Sequence, residues 1–201
     1  MLHQMAQYLT ETIFDFGYIG IFLLMLIESS FIPFPSEIVL IPAGYLAQQN
    51  SMSIPIILIS SLLGSISGGL INYFLALFVG RKFLLRYGKY LFISNSSLLR
   101  METFFNKHGA IATFTGRLIP GIRQLISIPA GLAKMDLKKF ILYTSFGAFI
   151  WSVVLVALGY VIGENQELIT QYLSNIIYIT LIVLIIIVLI YTKKYKNATT
   201  N

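Results

Sequence analysis

Long apolar runs alternate along this chain with short basic clusters, and two of the runs are broken by proline and glycine. Residues 1–16 place Leu9, Ile13 and Phe16 on one helical face and Thr12 and Asp15 on another, which predicts a short interfacial helix. The first broken run, 17–48, is interrupted by Pro33, Pro35 and Pro42 and carries Glu28 and Glu37. Residues 54–80 are long enough to cross a hydrocarbon core about 30 Å thick at about 1.5 Å per residue. Ser60, Gly64 and Gly68 fall four apart on that span, with Gly69 and Asn72 following, a small-residue stripe that admits a close helix neighbour. Arg81, Lys82, Arg86 and Lys89 come next, and Asn95, Ser96 and Ser97 then offer N-cap side chains. Leu98, Met101 and Phe105 lie opposite Arg100, Glu102 and Lys107, so a cytoplasmic segment at 81–108 should hold an amphipathic surface helix ending at His108 and Gly109. The second broken run, 109–133, contains Arg117 and Arg123 and is interrupted by Pro120, Gly121, Pro129 and Gly131. Lys134, Lys138 and Lys139 precede a span at 140–163. A last aliphatic span at 174–192 leads into a basic tail at 193–201.

The two broken runs repeat each other. Ile32 to Gly44 reads IPFPSEIVLIPAG and Ile119 to Gly131 reads IPGIRQLISIPAG; 119 − 32 and 131 − 44 are both 87. If the second run crossed the membrane once, the basic clusters at 81–89 and 134–139 would face opposite sides. If it enters and leaves on one face, those clusters and the C-terminal lysines are all cytoplasmic, which the positive-inside rule prefers. Treating both runs alike gives an all-α integral membrane protein. It is an inverted repeat of a re-entrant helical hairpin plus a transmembrane helix, with one additional C-terminal transmembrane helix and a cytoplasmic C-terminus. The competing reading is two proline-kinked ordinary helices.

Composition agrees with a multi-pass membrane protein. Of 201 residues 57% are hydrophobic and 11% charged, and the mean hydropathy is +0.81. The first 15 residues hold no Lys or Arg, and no small-residue cleavage site follows the first apolar run, so no cleaved signal peptide is expected. The absence of cysteine excludes disulfide and thiolate chemistry. Two histidines, His3 and His108, far apart, give a metal site little to work with. The net charge of +6 sits beside apolar segments, where it reads as topology and anionic-lipid contact rather than nucleic-acid binding.

Charge at membrane depth marks the candidate site. Arg117 and Arg123 bracket the Pro120-Gly121 break, and two guanidinium forks there would suit a phosphate monoester or diester. These four residues form the candidate substrate site. A second reading has the arginines neutralise Glu28 and Glu37 across the repeat, and a resting pair of that kind can yield to substrate. Burial raises a carboxyl's proton affinity and an adjacent arginine lowers it, so Glu28 and Glu37 are candidates for proton coupling. Trp151 reads as a packing or interfacial residue, and Asn72 as a structural one in need of a hydrogen-bond partner. The small-residue stripe leaves a homodimer open.

At these residues the chain resembles the DedA family of bacterial inner-membrane proteins, which shares a domain with eukaryotic lipid scramblases. The resemblance rests on Glu28, on Pro33-Phe34-Pro35-Ser36-Glu37 with Ala43-Gly44, and on Gly116 to Arg123 with Ala130-Gly131 and Met135. Phe140, Gly147 and Trp151 complete it. It implies two facing re-entrant hairpins and movement of undecaprenyl phosphate or phosphatidylethanolamine across the cytoplasmic membrane, driven by the proton-motive force. The family's important residues map onto Glu28, Glu37, Arg117 and Arg123. A further acid present in some members has no counterpart, because Ile38 to Ser53 contains no Asp or Glu. The expectation is a non-enzymatic lipid-phosphate translocase without cofactor or metal, partnered by membrane lipids and protons. A proton-coupled carrier of small cations or drugs, or a membrane lipid phosphatase or transferase, is the alternative.

Overall fold

The computed structural model describes residues 2–30, 35–80, 95–119 and 122–162, and all regular structure among them is helical. Helix α1, Leu2–Ser29, breaks its geometry once, at Gly17 (φ 54°, ψ −136°), a conformation open to glycine and strained for any side chain. That break falls at the expected boundary between the N-terminal segment and the first apolar run. Helix α2, Glu37–Gln48, follows the prolines that stop α1 and contains Pro42. Its 12 residues reach roughly 18 Å, too short to cross a bilayer core unaided. It is nonetheless the most enclosed element, with Ile38 to Gly44 buried throughout.

Helix α3, Ile54–Leu75, opens with Pro55 in its first turn and continues through a π-helical turn, Ala76–Gly80. Helix α4 is Asn95–Arg117. Two short pieces, α5 (Ile122–Leu125) and α6 (Ser127–Leu132), lead to α7, Leu137–Ile162, which Asp136 caps by accepting the Lys139 backbone N–H at 3.0 Å. Ile54–Gly80 and Leu137–Val161 are the two described helices long and apolar enough to span a membrane. They expose Ile59, Leu63, Phe74, Leu142, Phe146 and Val161 outward, as lipid-facing helices do.

The surface helix does not end at Gly109. Helix α4 runs through it to Arg117, where the approach to Pro120 stops it. Gly109 is a packing position instead: a Cβ there would sit 3.2 Å from Met135 Sδ and 3.3 Å from Phe105 Cδ1. The boundary expected between 108 and 109 therefore disappears, and one helix carries both the amphipathic face and Arg117. The expected last span at 174–192 and the basic clusters at 81–89 and 193–196 lie outside the described residues.

Close backbone approaches at glycine join the elements. Gly64 and Gly68 of α3 lie under the carbonyls of Phe22 and Leu26, so the small-residue stripe is covered by α1 within the same chain. Gly44 of α2 meets the backbone of Val156 and Tyr160 on α7, and Gly159 of α7 meets Ile41. Gly131 of α6 meets the Tyr73 carbonyl on α3. Each Ile-Pro-Ala-Gly helix thus packs against the long helix of the opposite half, and Tyr73 and Tyr160 are themselves 87 apart (160 − 73). Two cores result. One joins Ile21 and Met25 to α2 and to Leu155 and Val156. The other joins Tyr73, Phe105, Ala130, Met135 and Phe140.

Candidate functional site

Both breaks deliver charge to one place. Helix α1 ends on Glu28 and Ser29, α4 ends on Arg117, α5 carries Arg123 and α6 begins with Ser127. Between the two cores these residues meet Ser65, Gly69 and Asn72 of α3 and Trp151 and Ser152 of α7. The pocket they border is nearly filled by its own side chains, with about 10 Å³ left free, and is lined by Glu28, Ser29, Arg117, Arg123 and Trp151, among others.

The two arginines sit six positions apart and are held differently. Arg123, 7% exposed, forms an ion pair with Glu28, 1% exposed. Its Nε donates to Glu28 Oε1 at 2.9 Å and its Nη2 donates to the same oxygen. The guanidinium also lies 5.3 Å from the centre of the Trp151 ring, within cation–π range. Trp151 Nε1 in turn donates to Ser36 Oγ at 3.2 Å, tying the start of α2 to the same cluster. Arg117, 4% exposed, has no carboxylate partner among the described residues. Its Nη2 donates to Ser127 Oγ at 3.1 Å and its Nη1 to Ser29 Oγ at 3.4 Å, while Nε has no acceptor. Asn72 braces both breaks from α3, its Nδ2 donating to the Ser29 carbonyl at 3.1 Å and the Gln124 carbonyl at 3.3 Å.

Two guanidinium groups and one carboxylate leave one net positive charge in a place shielded from water. A buried charge held only by hydroxyls is costly unless an anion reaches it, and the planar fork of arginine matches phosphate oxygens. An anion with paired oxygens would match the chemistry of this cluster.

Of the residues expected in the site, Glu28, Arg117 and Arg123 come together. Glu37 does not join them: it is half-buried at the start of α2, with no side-chain hydrogen bond or ion pair to a described residue. The mutual neutralisation considered for the two acids and two arginines is therefore realised once, between Glu28 and Arg123. Pro120 and Gly121 lie outside the described residues. Residues the sequence did not single out for the site are Ser29, Ser36 and Gly69, while Trp151 and Asn72 were read as packing or structural residues. Ser29 follows Glu28 directly, and Trp151 is the single tryptophan of the chain; those were the available signals.

Residues 34–161 match the family model of the VTT domain. The chain belongs to the DedA family. Over 199 residues it is 38% identical to a protein of Lactococcus lactis called alkaline phosphatase-like protein, covering 94% of this chain and 93% of that one. The membrane protein YkoX of Bacillus subtilis is 39% identical over 190 residues, 93% of this chain and 84% of its own. Undecaprenyl phosphate transporter A of Staphylococcus aureus is 33% identical over 195 residues, 95% of this chain and 96% of its own. No solved structure matches. This DedA-family chain is thus related along almost its whole length to bacterial membrane proteins.

Proposed function

We propose that the protein carries a phosphate-bearing lipid across the bacterial cytoplasmic membrane, with Arg117 as the seat of the phosphate. The observation that carries this reading is a guanidinium buried to 4% exposure, bonded to no acid because Glu28 is paired with Arg123, and with one N–H unsatisfied. A phosphate would supply the missing charge and acceptors while its hydrocarbon chains stayed in the bilayer. The relative named undecaprenyl phosphate transporter A supports undecaprenyl phosphate as cargo, and phosphatidylethanolamine offers arginine the same chemistry. Arg123 joins when Glu28 takes up a proton and releases it, which would couple transport to the proton gradient.

The same reading takes 17–48 and 109–133 as re-entrant hairpins of an inverted repeat. The 12-residue α2 and the 4- and 6-residue pieces α5 and α6 support it, since none crosses the bilayer alone. Their crossed packing against α7 and α3 supports it too. The surplus positive charge argues against a small-cation carrier.

Hydrolysis of the same lipids is the second reading, favoured by the name of the Lactococcus relative and by two serine hydroxyls at Arg117. Around them the pocket lining offers no histidine, and Glu28, its one carboxylate, is engaged by Arg123. Liposomes containing the purified protein, loaded with undecaprenyl phosphate or labelled phosphatidylethanolamine in the presence or absence of a proton gradient, decide the matter. Transport predicts movement of lipid between leaflets without release of inorganic phosphate. Phosphate release without lipid movement would replace it with the hydrolytic reading.

A further inference from the structure

Arg117 leaves the end of α4 and has to pass between the two long helices to reach its serines. It does so where each of them lacks a side chain. On α7, a Cβ at Gly147 would stand 2.6 Å from Arg117 Cβ and 3.4 Å from its Cγ. On α3, a Cβ at Gly69 would collide with Arg117 Nη2 and stand 3.4 Å from Ser127 Oγ and 3.6 Å from Arg117 Cζ. Gly64 and Gly68 of the same helix accommodate the backbone of α1, where an added methyl would strike a carbonyl. Gly69, alone among them, gives its space to the far end of a flexible side chain. Neither Gly69 nor Gly147 has the positive φ that would require glycine for backbone reasons, and alanine would favour the helix. The space is what the glycine provides.

We propose that Gly69 is a positioning residue for substrate: its bare Cα forms the slot that seats the Arg117 guanidinium against Ser127, and so fixes where a lipid phosphate is held. This rests on Arg117 being the phosphate seat. A methyl at 69 crowds Nη2, pushes it off Ser127 and turns the fork away, while Cζ stays at ordinary contact distance. A lysine at 117 ends near the position of Cζ, so it fits beside either glycine or alanine at 69.

The test uses five purified variants, Gly69→Ala, Arg117→Lys, Arg117→Ala and the combinations of Gly69→Ala with each of the other two, in phosphatidylcholine liposomes doped with undecaprenyl phosphate, together with thermal unfolding in detergent. Gly69→Ala is expected to slow translocation at least tenfold at subsaturating lipid while unfolding at the wild-type temperature. In the Arg117→Lys background the same substitution is expected to cost less than twofold further. Wild-type transport by Gly69→Ala, or an equal loss in both backgrounds, overturns the proposal and assigns Gly69 to helix packing. Should Gly69→Ala fail to fold, the combination with Arg117→Ala removes the clashing group: recovery of folding supports the slot, and continued failure overturns it. Normal transport by Arg117→Ala would defeat the phosphate-seat reading separately, leaving the coupling in stability between positions 69 and 117 as the measure of the slot.

Discussion

Removing the Arg123 guanidinium takes the ion-pair partner from a carboxylate that is 1% exposed, whereas removing that of Arg117 strands only the Ser127 hydroxyl, since Ser29 Oγ also donates to Glu28 Oε2 at 3.0 Å. The two substitutions should therefore part company in stability. Arg123→Ala leaves Glu28 buried without its ion-pair partner, at a cost of about 3–5 kcal/mol, and Glu28→Gln in the same chain should recover much of it. Arg117→Ala should unfold at or slightly above the wild-type temperature in detergent, because a desolvated charge has been deleted. Equal destabilisation by the two alanines would mean that Arg117 has a carboxylate partner after all. The arginines and Glu28 were legible in the sequence because charge at membrane depth is anomalous by itself. Ser29, Ser127 and Trp151 were not, since such residues are common in spans and only the fold brings them to the guanidinium groups. Glu37 shows the reverse: its place among prolines made it conspicuous, yet it stands outside the Glu28–Arg123 pair.

Elements were legible where the chain is monotonously apolar. Ile54–Gly80 and Leu137–Val161 fall within a few residues of the expected spans, although α7 begins at Leu137 rather than 140. The breaks were legible from proline, whereas the kink at Gly17 lies inside one helix, Leu2–Ser29. What misled was Gly109. Glycine after a histidine near the end of an amphipathic pattern looks like a helix terminus, but nothing local shows that Met135 will pack on it. The proposed hairpin at 109–133 has a direct check, made simple by a chain without cysteine. Single cysteines replacing Lys89 and Lys134 should react with a membrane-impermeant maleimide from the same side of sealed vesicles. Labelling from opposite sides would make the second broken run a single crossing.

At the scale of the whole molecule, the crossed contacts give the charge cluster its location. With α2 on α7 and α6 on α3, the two Ile-Pro-Ala-Gly helices flank the centre, and the ends of α1 and α4 arrive between them. The apolar exterior of α3 and α7 fits a bilayer around that centre, and on the proposed reading one surplus positive charge there would attract an anion that stays attached to a lipid tail. The most direct measurement of this account is the rate of undecaprenyl phosphate translocation in proteoliposomes by the wild-type protein and by Arg117→Ala, at matched incorporation. The account predicts that the wild type moves the lipid and that Arg117→Ala, although folded, falls to the rate of empty liposomes. Translocation by Arg117→Ala at the wild-type rate would contradict it.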